Sequence, residues 1–141
     1  MTEPLVRMPL RVRFHECDPQ SVVFNAHYLA YADMACFEGL RKLFGSHAAV
    51  TDRGVDLVVA ESNLRYLLPC RFDDELIVEV FTERVGRSSL VLRFAVRRDG
   101  ELATEVVNRY AWVSTETMRP VTPPEDIRTA FGEPAGSGAA R

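Results

Sequence analysis

The chain has 141 residues and a mass of 15.9 kDa, room for one domain of ordinary size and not for a second catalytic module. Apolar residues make up 47% and charged residues 26%, the balance of a globular protein that buries roughly two-thirds of its unfolded surface. Seventeen Lys and Arg against twenty Asp and Glu leave a formal net charge of −3; this excludes a general attraction to nucleic acid or anionic membrane, so any polyanionic ligand must be held by local cations.

The first residues, Met-Thr-Glu-Pro, lack the basic start and apolar run of a secretory signal. No apolar stretch approaches the roughly 20 residues that span a bilayer, and a cytoplasmic protein without a membrane partner is expected. Cys17, Cys36 and Cys70 are odd in number, widely spaced and without CxxC pairing. Neither a disulfide framework nor a bound metal is expected.

In chain order, Leu10, Val12 and Phe14 alternate with Arg11 and Arg13, the period of a strand with one wet face, over Leu10–Phe14. Pro19 ends that run and opens a polar loop. Leu29, Ala32, Cys36, Leu40 and Leu43 then recur at intervals of three and four. This predicts an amphipathic helix over Ala26–Phe44, with Asn25 as N-cap and Gly45 as its stop. Ala30, Ala32, Ala35 and Gly39 would let a sheet curl closely around it.

From Gly54 onward the pattern is β: Val55–Leu68, Glu75–Val85, Ser88–Arg98 and Leu102–Thr115, joined by Asp73-Asp74, Val85-Gly86 and Asp99-Gly100. Such short connections force antiparallel neighbours, and Asp-Gly is a strong hairpin signal. The layout is α+β, one long central helix against a five-stranded antiparallel sheet. A helix of about 19 residues is roughly 28 Å long, too short to cover both faces. Because Ile77 and Phe81 stand opposite Leu76, Val78 and Val80, a homo-oligomer is expected, its partner on the uncovered face or along an edge strand. Thr122-Pro123-Pro124-Glu125 has capping-box spacing, predicting a short helix over Pro123–Phe131 ended by Gly132. Glu133–Arg141 reads as a frayed tail, leaving residues 1–132 as a single domain.

No P-loop, GxGxxG, GxSxG or HExxH pattern occurs. What stands out is Phe14-His15-Glu16-Cys17-Asp18-Pro19-Gln20-Ser21-Val22-Val23-Phe24-Asn25-Ala26-His27-Tyr28, with two carboxylates, two histidines and a thiol immediately before a helix start. The order is an acidic residue, a small residue, Asp, a short linker, two aliphatics, an aromatic, a polar residue and a Tyr entering the helix. It resembles the hot-dog-fold acyl-CoA thioesterases of the 4-hydroxybenzoyl-CoA thioesterase family. Fainter resemblance continues through Tyr66-Leu67-Leu68-Pro69, Asp73-Asp74-Glu75-Leu76 and Gly86-Arg87-Ser88-Ser89.

The resemblance implies a hot-dog fold and hydrolysis of an acyl-CoA thioester to free acid and CoA, at a site between subunits of a homodimer or homotetramer. It needs no cofactor or metal, CoA entering as part of the substrate. Asp18 is implied as the catalytic carboxylate, attacking the thioester carbonyl or activating a water. A helix start offers unpaired N–H groups and partial positive charge, suited to a developing oxyanion, and the N–H groups of Phe24 and Asn25 are the candidates here. His27 stands in the first turn, either to donate to substrate or orient Asp18 or as an ordinary helix-start histidine. Tyr28 is divided between packing and lining the acyl pocket. Arg87 and Ser88, in the turn before the fourth strand, match a place where the family holds CoA phosphates, although a solvated turn arginine fits Arg87 equally. Glu16 reads as a supporting group, while His15 has no assigned role. Glu38 lacks the pattern of hot-dog enzymes with a catalytic helix glutamate, and no histidine is placed to activate Cys17. Ser21 stands where many relatives have glycine, so a positive φ there would strain it. Two alternatives remain: an acyl-thioester hydratase or dehydratase using His27 with Asp18, and a non-catalytic acyl-CoA-binding module.

Overall fold

The computed structural model describes residues 3–132; the predicted tail lies outside the described residues. The chain forms β1 (Val6–Arg11), a 3-10 turn (Phe14–Glu16), α1 (His27–Phe44), α2 (Ala48–Thr51), β2 (Val55–Tyr66), β3 (Glu75–Val85), β4 (Ser89–Arg98), β5 (Glu101–Ser114) and α3 (Glu125–Thr129). The five strands make one antiparallel sheet in the order β1-β3-β4-β5-β2. α1 lies along its inner face, packed on β1, β3 and β5. This is the α+β hot-dog arrangement.

Val78, Val80, Leu92, Phe94, Val96, Val106 and Trp112 project from the sheet and are buried, each apolar side chain of this kind contributing about 1.5–3 kcal/mol. Tyr28, Tyr31, Ala32, Ala35, Cys36, Gly39 and Leu40 form the facing stripe of α1. The stripe is rotated from the predicted one. Leu29 is 38% exposed, because Tyr28 and Tyr31 take the inner positions and satisfy their hydroxyls inside. The small residues act as expected: a Cβ on Gly39 would stand 3.2 Å from Leu5 Cδ2, so α1 meets the start of β1 at close range.

Three predicted boundaries are corrected. The first strand is Val6–Arg11 rather than Leu10–Phe14, since its partner β3 begins at Glu75, opposite Arg11. Beyond that point the chain curls into the 3-10 turn, closed by the Arg13 N–H on Glu16 Oε1 (2.8 Å), and Phe14 is left 78% exposed. Asn25 is not the N-cap of α1; Ala26 holds that place with no side-chain cap. α3 is capped by Pro124 without a side-chain bond, so the capping box of Thr122 does not form. α2, a single turn, carried no readable periodicity. Gly45 ends α1 at φ 91, and Asp99 (φ 52) with Gly100 (φ 81) makes the tight β4–β5 hairpin.

The outer face is more polar than the alternation suggested. Glu79 bridges Arg7 (3.0 Å) and Arg97 (2.7 Å), and the Arg93 guanidinium lies 4.3 Å above the Phe81 ring. The Arg93 side chain thus covers Phe81, while Ile77 stays 38% exposed. The edges differ too. β1 is short and contains Pro9, which has no N–H; β2 runs 12 residues, with a register shift between Val59 and Glu61, and Val59 is 47% exposed. No helix of the described residues is long and apolar enough to cross a membrane.

Candidate active site

The loop from Asp18 to Val22 is closed on itself. The Asp18 N–H donates to the Val22 carbonyl (2.9 Å), the Ser21 N–H to the Asp18 carbonyl (2.8 Å), and the Gln20 N–H to Asp18 Oδ1 (2.8 Å). Ser21 adopts φ 67, the left-handed conformation that favours glycine. The loop is tied to the β2–β3 connection through the Val23 N–H on the Cys70 carbonyl (2.8 Å). Asp18 is half-buried at the edge of a cleft of about 320 Å³. Gln20, Val22, Val23, Asn25 and Tyr28 form one side of it, and Tyr66, Leu67, Leu68 and Pro69 the other. Among the described residues Asp18 Oδ2 has no hydrogen-bond partner.

The helix start contributes donors. The Phe24 N–H donates to the Glu16 carbonyl (2.9 Å), so of the two expected oxyanion donors it is the one already engaged within the fold. The Phe24 carbonyl accepts from the His27 N–H (2.8 Å). The Asn25 N–H has no partner among the described residues, and Asn25 lines the cleft. Such orphan donors at a helix start attract negative charge.

Beside this loop lies a second polar cluster. Glu16 Oε1 accepts from the Tyr31 hydroxyl (2.6 Å) and from the Arg13 N–H, while Oε2 stands 3.6 Å from His27 Nε2. Burial opposes charge on Glu16, but the Arg13 N–H, the Tyr31 hydroxyl, His27 and His15 outweigh it and hold the carboxyl below its ordinary pKa. The His27 ring is edge-on to Tyr31 and His15. Among the described residues His27 is paired with Glu16 and makes no hydrogen bond or ion pair with Asp18.

Tyr28 is buried beneath the cleft, and burial, with the Cys70 thiol beside its hydroxyl, raises its pKa well above the ordinary phenol value. It is a neutral wall. Cys17 is a poor nucleophile, because burial and the charges of Glu16, Asp18 and Asp74 raise its thiol pKa. Glu38 lies outside the cleft, paired with Arg41 at 2.7 Å. Phe24 is 48% exposed outside the lining. Arg87 and Ser88 stand in the β3–β4 turn, near the start of β2 and the end of β5, whereas the cleft stands at the end of β2. One chain does not bring them to Asp18. The far wall, Tyr66 to Pro69, had no assigned site role in the sequence; its signal was the apolar run closed by proline at the end of a strand.

The family model of the thioesterase superfamily matches residues 20–104. The chain belongs to the thioesterase superfamily. It is 30% identical over 132 residues to the acyl-CoA thioester hydrolase YbgC of Escherichia coli O6:H1, covering 93% of this chain and 98% of the relative. It is 27% identical over 124 residues to the acyl-CoA thioesterase YbgC of Haemophilus influenzae, covering 87% and 91%. The crystal structure of a hypothetical protein from Aquifex aeolicus superposes with a TM-score of 0.84 at 21% identity, covering 90% of this chain and 99% of that one. The superfamily match begins two residues beyond Asp18 and includes the rest of its loop.

Proposed function

We propose that the protein hydrolyses an acyl-CoA thioester to a carboxylic acid and CoA at the Asp18 cleft. The observation that carries the reading is one cleft holding a carboxylate with an unengaged oxygen and, seven residues on, the open Asn25 N–H at the start of α1. The thioester carbonyl oxygen lies against that N–H, where developing negative charge is stabilised by a fixed dipole. Asp18 acts as nucleophile or general base. As nucleophile it bonds to the carbonyl carbon, the C–S bond breaks, CoA leaves as thiolate, and water hydrolyses the resulting anhydride. As base it takes a proton from the water that attacks, and the tetrahedral intermediate expels the thiolate. Relatives named as acyl-CoA thioester hydrolases support this substrate class.

The site is completed by a second copy, in a homodimer or in a homotetramer built from such dimers. Antiparallel pairing of β2 with its own copy sets the start of one β2 beside the end of the other. This carries a partner's β3–β4 turn toward the cleft end, where Arg87 and Ser88 meet the CoA phosphates. The reading takes residues 1–132 as one catalytic domain acting in the cytoplasm, with no added cofactor.

The test is thiol release from a panel of aryl, short and long acyl-CoA esters. Hydrolysis of at least one, reduced at least about 100-fold in Asp18→Asn and retained in Glu38→Gln, is the expected result. Thiol release indifferent to Asp18→Asn removes the assignment, and tight acyl-CoA binding without release makes the protein a binding module.

A further inference from the structure

Three hydrogen bonds bracket Asn25. Its preceding residue is held from both sides, by the Glu16 carbonyl on the Phe24 N–H and the His27 N–H on the Phe24 carbonyl. The third comes from across the cleft: the Tyr66 hydroxyl donates to the Asn25 carbonyl at 3.1 Å. Tyr66 ends β2, 41 residues away in sequence, and its ring packs edge-on against Tyr28, with centroids 5.8 Å apart. Tyr66 is 51% exposed, so its removal leaves no core cavity. Its hydroxyl is the bond in this set that ties the α1 start to the opposite wall.

We infer that Tyr66 is a positioning residue for the reaction: it anchors the Asn25–Ala26 peptide through the Asn25 carbonyl, while the Phe24–Asn25 peptide is held through the Phe24 carbonyl, so that the Asn25 backbone between them keeps its N–H at the place where the thioester oxygen develops charge. The inference rests on the proposed reading of the cleft. A donor held before the substrate arrives stabilises the transition state without reorganising, and a loosened one stabilises it less. Loss of the tie is expected to act on kcat, not on substrate capture. A carbonyl that accepts a hydrogen bond also polarises its own peptide group, whose N–H belongs to Ala26, and so strengthens the positive end of α1.

The experiment compares the wild-type chain with Tyr66→Phe, which keeps the ring and removes the hydroxyl. kcat is expected to fall about tenfold with KM within about twofold, less than the 100- to 1,000-fold typical of deleting an oxyanion donor itself. Amide hydrogen exchange of residues 24–28 in the free protein should accelerate, with an unchanged thermal midpoint. A raised KM with constant kcat means that Tyr66 touches substrate, and overturns the inference. So does unaltered exchange at residues 24–28. If wild-type protein releases no thiol from any acyl-CoA, the reading of the site fails, and the exchange comparison still decides whether Tyr66 holds Asn25.

Discussion

The Tyr31 hydroxyl donates to Glu16 Oε1 at 2.6 Å, joining the second turn of the central helix to the turn that precedes the Asp18 loop. The folded-state pKa of Glu16 lies below its ordinary value of 4.5. Its ionisation therefore adds stability that is complete above that value and disappears as pH falls through the lower, folded value. Glu16→Gln should cost about 1–3 kcal/mol at pH 7. The difference from wild type should shrink in urea melts below about pH 4.5; a gap independent of pH would show that the charge of Glu16 contributes nothing.

Ser21 carries φ 67 in the loop that shapes Asp18. Left-handed backbone costs a non-glycine residue about 1–2 kcal/mol. Ser21→Gly should keep activity and hold or raise the thermal midpoint. Ser21→Val should destabilise by about that amount and lower kcat by displacing Asp18. Equal stability of the wild type and both variants would remove the strain.

β2 offers Val59 on an exposed edge. Val59→Asp should halve the mass measured by light scattering, because a charge opposes edge-to-edge pairing, and thiol release should fall with it while the circular dichroism stays native. An unchanged mass would move the subunit contact away from β2.

Ala32 is wholly buried between α1 and the sheet. Ala32→Leu overpacks this seam and should cost about 1–3 kcal/mol, whereas Phe94→Ala opens a cavity and should cost about 3–5 kcal/mol. Denaturant midpoints measure both, and a harmless Ala32→Leu would mean that α1 sits further from the sheet.

Local signals carried much of the fold. The three-and-four spacing up to Leu40 and the stop at Gly45 place α1 within a residue of its observed limits, and alternation places β3 at Glu75–Val85. What failed was set by distant partners. Alternation over Leu10–Phe14 outlasts the pairing with β3, and the inner positions of α1 go to tyrosines whose hydroxyls find buried partners. In the candidate site, the Asp18 loop is contiguous and therefore legible. Its facing wall, Tyr66 to Pro69, arrives through tertiary folding. The engagement of the Phe24 N–H by Glu16 depends on a backbone turn that residue types do not specify.

Pro9 has a consequence for how far copies of this chain can associate. With no donor at the centre of β1, that rim is a poor template for another strand. On the proposed pairing through β2, strand-to-strand growth stops at two sheets instead of extending into a ribbon.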